Sequence, residues 1–219
     1  MKITCIVPIG PVPHPYLSDA LVSAKGLFDE TILCVHVNYP HMAQLIAGKI
    51  DKDYRLVIST EGSCAFQMNL AIVNASGDYI VILDDDDLFD RLGQQAVRAI
   101  AELENNRDVY FGQVMEFDTP VTTKKYNIWP INPDLTKIHT TNQVPVCAMF
   151  RKQMWFKLGG FRHIRYDDWD FWKRAVDNGY TFKFIDVITY HHRRWSGSAG
   201  VLANQNYRSD LPLELPLPY

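Results

Sequence analysis

The first 90 residues alternate regularly between two kinds of apolar pattern. Short, continuous apolar runs rich in β-branched residues predict buried strands, and apolar residues at helical spacing predict amphipathic helices. Strands are predicted at residues 3–7, 31–37, 54–59 and 79–83, and helices at residues 17–28, 41–49 and 63–77. Strict alternation of strand and helix favours an α/β fold with a mainly parallel central sheet flanked by helices.

Four consecutive aspartates, Asp84 to Asp87, directly follow the last of these strands. Because neighbouring carboxylates repel one another, a fold that gathers them at a strand end needs a compensating cation, and a divalent metal is the candidate. In open α/β sheets, ligands bind beyond the carboxyl ends of the strands, where these side chains would lie. A solvated acidic turn is the open alternative. An EF-hand loop is disfavoured because Phe89 and Gln95 occupy its glycine and glutamate positions.

The loop after the first strand is stiffened by prolines. The strand is predicted to end at Pro8, and the loop carries Gly10 and three more prolines. Such a loop is placed to line a ligand crevice, and a plain rigid turn is the alternative. The sequence has no Gly-x-Gly-x-x-Gly after the first strand and no Walker lysine loop, so neither a dinucleotide-binding fold nor a P-loop is supported.

Composition limits the class of protein. At 219 residues, 47% hydrophobic, the chain fits a single domain with one sizeable core. A net charge of −3 gives no basic excess that would favour nucleic acid as a partner. The sequence lacks an apolar stretch near the roughly 20 residues of a membrane span, and its N-terminus predicts a strand, so we expect a cytoplasmic protein. Cys5, Cys34, Cys64 and Cys147 form no metal-binding spacing, which predicts reduced core residues.

The second half of the chain departs from the alternation in one segment. Residues 118–142 are polar and proline-containing yet include Tyr126 and Trp129, which favours a lid or acceptor wall, with a surface excursion as the alternative. A helix is predicted at residues 92–103, and strands are predicted at residues 109–117, 144–151 and 182–188.

A second acidic pair opens a helix predicted from Tyr166. Asp167 and Asp168 lie in its first turn. Acidic side chains there cap a helix and complement its dipole, which explains them structurally. The same position keeps a carboxylate ionised, as a general base requires. Both interpretations stay open on these residues alone.

Basic residues follow the last predicted strand. His191 and His192 offer an imidazole ligand for a metal, and Arg193 and Arg194 offer guanidinium groups suited to a phosphate. An ordinary polar strand edge is the alternative.

Taken together, these segments resemble a family 2 glycosyltransferase with the GT-A (nucleotide-diphospho-sugar transferase) fold, over nearly the whole chain. The resemblance is carried by Asn69, by Ala75 to Asp87, by Leu158-Gly-Gly-Phe161 and by Asp167 to Trp172. It implies a single GT-A domain, with a nucleotide-sugar-binding half at residues 1–90, an acceptor and catalytic half at residues 91–206, and an extended tail at residues 207–219.

The resemblance also implies site residues. The Asp-x-Asp (DXD) element would place Asp86 on a divalent cation, Mn²⁺ or Mg²⁺, with Asp84 as a second ligand and Asp84 or Asp85 nearer the ribose. His192, or His191, would complete the metal sphere. Asp168 would be the catalytic base beside Asp167. The implied donor-binding residues are Pro8, Gly10, His36, Asn69, Asp84, Asp85 and Arg194.

The implied reaction moves a hexose from a nucleotide diphosphate sugar, such as UDP-glucose, to an acceptor hydroxyl with inversion. The acceptor could be a saccharide, a lipid-linked sugar, a protein or a modified base. Three departures stand out: residues 35–38 read Val-His-Val-Asn where relatives often have Asp-Asp-Gly-Ser, Met68 stands where an arginine is common, and Asp167 replaces a glutamate. Alternatives are a retaining transferase, a nucleotidyltransferase and a non-catalytic Ca²⁺-dependent sugar-binding module.

Overall fold

The computed structural model of the protein describes residues 1–10, 15–38, 54–118 and 127–195. The strands are β1 (Ile3–Ile9), β2 (Glu30–His36), β3 (Tyr54–Ser59), β4 (Tyr79–Ile82), β5 (Leu88–Phe89), β6 (Val109–Asp118), β7 (Asn127–Trp129), β8 (Met149–Arg151) and β9 (Phe182–Arg194). The helices are α1 (Leu17–Ala24), α2 (Cys64–Asn74), α3 (Arg91–Glu104), α4 (Lys152–Lys157), α5 (Asp167–Asp177) and a 3₁₀ turn (Leu135–Lys137).

The strands form one sheet in the order β3-β2-β1-β4-β8-β6-β9-β5, with β7 paired to β6. β1 pairs in parallel with β2 and β4, and β2 pairs in parallel with β3. β8 lies antiparallel between β4 and β6, and β6 pairs in parallel with β9. The mainly parallel sheet predicted from the sequence is confirmed, and β8 joins its two halves.

Apolar clusters on both sides of the sheet explain why the first strands are continuously apolar. Cys5 and Val7 belong to one cluster with the buried face of α1. Ile6 and Ile80 belong to the other cluster, with residues of α2 and α5. β1 and β4 are buried along their whole length, and because they pair in parallel, their carboxyl ends lie at the same edge of the sheet. That edge carries the acidic loop.

Two predicted strand boundaries were wrong by five residues or more. Residues 144–148 form turns, in which Ala148 N donates to Pro145 O, so that only Met149–Arg151 is left to form β8. A proline at this position lacks the N–H that a strand needs. β9 continues past residue 188 to Arg194, because residues 190–194 pair with the end of β6.

Some predictions fall outside the described residues. These are the helix at residues 41–49, Tyr126 and the tail at residues 207–219. Within the described ranges, none of the helices combines the length and the apolar character needed to cross a bilayer.

Candidate active site

The loop that follows β4 is held against the end of β1. Gly10 N donates a hydrogen bond to Asp85 Oδ2 at 2.8 Å. Both residues were predicted to contact the donor, and the structure brings them together at the carboxyl edge of the sheet. β1 itself runs one residue past Pro8, to Ile9.

Asp87 anchors this loop to β9. It is 1% exposed, and its Oδ1 accepts a hydrogen bond from Arg193 N at 2.6 Å. The Tyr190 hydroxyl accepts a hydrogen bond from Asp84 N at 3.0 Å and hydrogen-bonds to Asp87. Burial and the neighbouring carboxylates raise the pKa of Asp87. The last aspartate of the four therefore has a structural role and faces away from solvent.

Asp86 is held by the end of β9. Its Oδ2 accepts a hydrogen bond from Trp195 Nε1 at 2.7 Å, and its carbonyl oxygen accepts one from Arg193 Nε at 2.8 Å. The Arg193 guanidinium lies 4.1 Å from the ring centroid of Tyr16 and 4.8 Å from that of Phe117. Trp195 was not among the predicted site residues, and Arg194 rather than Arg193 was predicted to bind the donor phosphate. The structure brings Arg193, rather than Arg194, to the aspartate loop.

Asp84 is where the two acidic motifs meet. Burial, followed by the charges of Asp86, Asp85, Asp167 and Asp168, raises the pKa of Asp84. Like charges act on a pKa at short range, so aspartates of both motifs line one cleft. With the residues that the structure describes, the Asp84 carboxylate makes no hydrogen bond. None of the described residues therefore engages its two oxygens.

The second motif lies in the first turn of α5, as predicted. Tyr166 precedes the helix in the left-handed conformation (φ 59°, ψ 50°), and Asp167 Oδ1 accepts a hydrogen bond from Asp168 N at 2.9 Å. Burial and the charge of Asp168 raise the pKa of Asp167 to about 7. Burial also raises the pKa of Asp168, and hydrogen bonds from Trp169 N and Asn142 oppose that rise.

Asn142 is a site residue that sequence analysis missed. Its Nδ2 donates to Asp168 Oδ2 at 3.4 Å, and its Oδ1 accepts from Val144 N at 3.1 Å. Trp169 Nε1 donates to Ile138 O at 2.6 Å, so residues 138–142 lie along α5. The end of the polar segment thus lies against the second acidic motif. Its position at the end of that segment was the only signal in the sequence.

Cys64 lies between the two motifs and is not the core residue that was predicted. It opens α2 after the N-cap Ser63, and its side chain is exposed. Although the residue is exposed, protein atoms around the thiol and then the charges of Asp167 and Asp84 raise the pKa of this group. The prediction was wrong because this residue begins its helix at the open edge of the sheet. Cys5, Cys34 and Cys147 are buried as predicted.

Asn69 makes three hydrogen bonds within the protein. It accepts from Trp155 Nε1 at 3.0 Å and from Phe161 N at 2.9 Å, and it donates to Phe161 O at 2.8 Å. These contacts tie α2 to the turn before the second acidic motif. The donor contact of Asn69 stays a prediction.

The remaining predicted residues lie beside other partners. His36 Nε2 lies 3.1 Å from Thr60 O. His191 Nε2 lies 3.1 Å from Asp90 Oδ2, at the start of α3. On the next residue of β9, His192 Nδ1 lies 3.8 Å from Glu116 Oε1. Arg194 Nη1 also lies 3.8 Å from Glu116, at Oε2. His192 and Arg194 therefore share one face of the β6–β9 ladder, and their metal and phosphate contacts stay predictions.

Comparison with known proteins decides the family. The sequence profile described as Glycosyl transferase family 2 matches residues 38–159. The chain belongs to glycosyltransferase family 2. Over 200 residues it is 28% identical to an uncharacterized glycosyltransferase of Methanocaldococcus jannaschii. The alignment covers 83% of this chain and 67% of that protein.

Solved structures confirm the GT-A fold of this family 2 glycosyltransferase. S. aureus TarS 1–349 in complex with UDP-GlcNAc superposes with a TM-score of 0.69 at 16% identity, over 90% of this chain and 60% of that chain. The TarS complex with UDP gives a TM-score of 0.64 at 14% identity, over 90% of this chain and 61% of that chain. The chain thus spans about 60% of the TarS chain.

The aspartates of this glycosyltransferase fit a hard divalent cation. Asp84 and Asp86 present carboxylate oxygens at one strand end, and Mg²⁺ is commonly bound by one or two carboxylates together with substrate phosphates. Among the described residues, no three His, Cys, Asp or Glu side chains form a ready-made metal site.

A separate cavity of about 400 Å³ lies at the amino ends of β2 and β3. Its polar lining is internally paired, since Arg55 Nη1 lies 3.4 Å from Glu30 Oε1 and Tyr54 Oη donates to Leu21 O at 2.7 Å. Ligands of open α/β sheets bind at the carboxyl ends instead. The aspartate cleft, rather than this cavity, is therefore the candidate active site.

Proposed function

We propose that this protein transfers a hexose from a UDP-sugar to an acceptor hydroxyl, with inversion at the anomeric carbon and with a divalent cation at Asp84 and Asp86. The observation that carries the proposal is the convergence of the two acidic motifs at Asp84, whose pKa is raised first by burial and then by the charges of Asp86 and Asp85 and of Asp167 and Asp168. UDP as the nucleotide is supported by TarS, a protein of the same fold whose structures hold UDP-GlcNAc and UDP.

On the donor side, Asp86 and Asp84 would hold the cation against the diphosphate. When bound, such a cation offsets the negative charge that develops on the departing diphosphate. Trp195 fixes one oxygen of Asp86, which leaves the other oxygen for the cation. Asp85, held by Gly10 N, would lie nearer the ribose.

On the acceptor side, Asp168 would act as the general base. Asn142 holds the Asp168 carboxylate through Oδ2, and the acceptor hydroxyl would approach this carboxylate. As the acceptor oxygen bonds to the anomeric carbon, its proton passes to Asp168 and the bond to the diphosphate breaks. Attack opposite the leaving group inverts the anomeric configuration. A base of this kind typically contributes about 10²- to 10⁴-fold to the rate.

The test compares matched variants on one helix. Asp168→Asn removes the base, and Asp177→Asn makes the same change at the exposed end of α5. Both are assayed with a panel of UDP-sugars, Mn²⁺ and candidate acceptors by UDP release, and UDP binding is measured by calorimetry. We expect Asp168→Asn to lose at least 10²-fold in turnover while it keeps UDP affinity, and Asp177→Asn to keep both.

Two outcomes would contradict the proposal. Full turnover in Asp168→Asn would remove the base assignment. An α-linked product from an α-linked donor, identified by NMR of the anomeric proton, would show retention in place of inversion.

A further inference from the structure

Tyr16 occupies the N-cap position of α1, where short polar side chains are preferred. Its side chain makes no capping hydrogen bond. Serine, threonine, aspartate and asparagine are favoured at an N-cap because their side chains accept a hydrogen bond from the first turn of the helix. α1 therefore begins without this stabilisation, and the contacts of the Tyr16 side chain lie elsewhere.

The Tyr16 ring contacts two residues at the end of β9. The Arg193 guanidinium lies over this ring, 4.1 Å from its centroid, which is within the range of a cation–π interaction. The Trp195 ring meets it edge to face, with centroids 5.5 Å apart. One ring of the helix that follows β1 thus contacts both side chains that reach Asp86.

Those two side chains hold Asp86 at two points. Arg193 Nε donates to the main-chain carbonyl oxygen of Asp86 at 2.8 Å, and Trp195 Nε1 donates to its Oδ2 at 2.7 Å. The first contact fixes the peptide group, and the second fixes the carboxylate. The orientation of the Asp86 carboxylate is therefore set by the end of β9.

Aromatic rings fix the Arg193 side chain more firmly than its ion pair does. This side chain is only 8% exposed, and its guanidinium also lies over the Phe117 ring, 4.8 Å from the centroid. Its Nη2 lies 3.5 Å from Asp19 Oδ2, but the Asp19 side chain is 60% exposed, and exposed ion pairs contribute little. A planar guanidinium stacks well on aromatic faces. Tyr16, the nearer of the two rings, is thus a principal support of Arg193.

We propose that Tyr16 is a positioning residue for the cation site: through Arg193 and Trp195 it holds the Asp86 carboxylate in the orientation that binds a divalent cation. This inference rests on the proposed function, in which Asp86 is a cation ligand. Mg²⁺ requires near-ideal octahedral geometry, and a ligand that is already oriented loses less conformational freedom on binding. Tyr16 thus raises the affinity for the cation without being one of its ligands.

The test compares two substitutions of Tyr16 in the full chain. Tyr16→Phe keeps the ring and removes only the hydroxyl, whereas Tyr16→Leu removes the ring. Tyr54→Leu is the control, because Tyr54 is also half-buried but lies at the amino end of β3, at the opposite edge of the sheet. Calorimetry measures UDP affinity with Mn²⁺ and with EDTA, and Mn²⁺ affinity is measured by titration at saturating UDP.

We expect Tyr16→Leu to weaken Mn²⁺ affinity about tenfold, because it loses a cation–π contact and an edge-to-face pair. UDP affinity should fall by a similar factor with Mn²⁺ and stay unchanged in EDTA. Tyr16→Phe and Tyr54→Leu should match the unmodified protein in all three measurements. In an Arg193→Gln background, Tyr16→Leu should have a smaller effect, because the two residues act in one chain of contacts.

Three results would overturn the proposal. The first is equal Mn²⁺ affinity in Tyr16→Leu and Tyr16→Phe. The second is a loss of UDP affinity in EDTA, because a ring that shapes the donor pocket directly acts without the cation. The third is an undiminished effect of Tyr16→Leu in the Arg193→Gln background. If Tyr16→Leu does not fold, Tyr16→Met, whose flexible side chain fills gaps well, replaces it under the same criteria.

The unmodified protein separates this inference from the function on which it rests. If its UDP affinity is the same with Mn²⁺ and with EDTA, the cation site of the proposed function fails and takes this inference with it. If UDP binding depends on Mn²⁺ but Tyr16→Leu keeps the full dependence, the proposed function stands and the role of Tyr16 is wrong.

Discussion

Asn69 brackets the backbone of Phe161: its Oδ1 accepts from Phe161 N at 2.9 Å and its Nδ2 donates to Phe161 O at 2.8 Å. The same Oδ1 accepts from Trp155 Nε1. Arg174, on α5, donates to Leu158 O and Gly160 O on the other side of this turn. The turn that leads to the second acidic motif is thus fixed from α2 and from α5.

Asn69→Ala should destabilise the fold and slow turnover. Three polar groups lose their partner, and each buried unsatisfied group costs about 1–3 kcal/mol, so we expect a loss of at least about 3 kcal/mol in urea unfolding. Asn74→Ala, on the same helix, loses only one bond to Leu70 O and should cost less than about 1 kcal/mol. Because α5 would be displaced, turnover should fall more than UDP affinity.

If Asn69→Ala does not fold, Asn69→Asp tests the alternative that Asn69 contacts the donor directly. Aspartate keeps the acceptor but cannot donate to Phe161 O. Loss of UDP affinity with unchanged stability and turnover would favour the direct donor contact predicted from the sequence.

Trp195→Phe should weaken nucleotide binding that depends on the cation. The variant keeps an aromatic ring beside Tyr16, whose centroid lies 5.5 Å from that of Trp195, but it removes the hydrogen bond to Asp86 Oδ2. A hydrogen bond to a charged group is worth about 1.5–3 kcal/mol, so we expect a loss of about tenfold or more in UDP affinity with Mn²⁺ by calorimetry. In an Asp86→Ala background, which should itself lose this affinity, Trp195→Phe should add nothing. An equal effect in both backgrounds would show that Trp195 acts independently of Asp86.

Asp167→Asn should change how stability depends on pH in the metal-free protein. Burial and the charge of Asp168 raise the folded-state pKa of Asp167 from 3.8 to about 7, so the fold favours the protonated form. The contribution of Asp167 to the free energy of unfolding is therefore largest below about pH 4 and falls until about pH 7, by an amount on the order of 4 kcal/mol. Asparagine cannot ionise, so the free energy of unfolding of the variant should fall less between pH 5 and pH 8 than that of the unmodified protein. Urea unfolding at the two pH values measures this difference. Asp177→Asn serves as the control. If the free energy of unfolding of Asp167→Asn falls between pH 5 and pH 8 by as much as that of the control, the assignment is contradicted.

Gly93→Ala should destabilise the packing of α3 on β9. A Cβ at residue 93 would collide with the carbonyl group of Ile188, which belongs to the backbone and cannot rotate away. We expect a loss of at least about 2 kcal/mol in urea unfolding, because overpacking costs about 1–3 kcal/mol and here backbone must shift. Gln95→Ala, at an exposed position of the same helix, should stay within about 0.5 kcal/mol. Equal stability of the two variants would show that the helix can move at no cost.

The strands and the acidic motifs could be predicted from the sequence. Parallel strands buried on both faces must be apolar throughout. β1, β2 and β4 can therefore be recognised in the sequence from their continuous apolar runs. Carboxylates gathered at a strand end and at a helix start are unusual enough to mark the cleft. Both signals are local in sequence.

The packing faces of the helices could not be predicted in the same way. The helical spacing of Leu92, Ala96, Ile100 and Leu103 predicts an apolar face for α3, yet Leu92 is 77% and Leu103 is 87% exposed. The buried face contains Gly93 and Ala101, because small residues let the helix approach the sheet closely. A periodicity based on large apolar residues therefore includes the exposed Leu92 and Leu103 and misses Gly93, although Ile100 does pack against the core.

Long-range partners also escaped sequence analysis. Asn142 is 26 residues from Asp168, and Trp195 is 109 residues from Asp86. Only the register of β9 against β6 decides that Arg193 turns toward Asp86 and Arg194 toward Glu116. Adjacent residues of a strand face opposite sides, so a single step in register would exchange their roles.

The short strand β8 has a consequence for how the protein assembles. Because it bridges β4 and β6 antiparallel to both, the aspartate loop and the base-bearing helix depend on one continuous ladder. A polypeptide ending after Asp90 would leave the outer edge of β4 without its partner and would be prone to self-association. The donor half, residues 1–90, is thus not expected to fold independently. The catalytic cleft should form only when both halves fold together in one cooperative step.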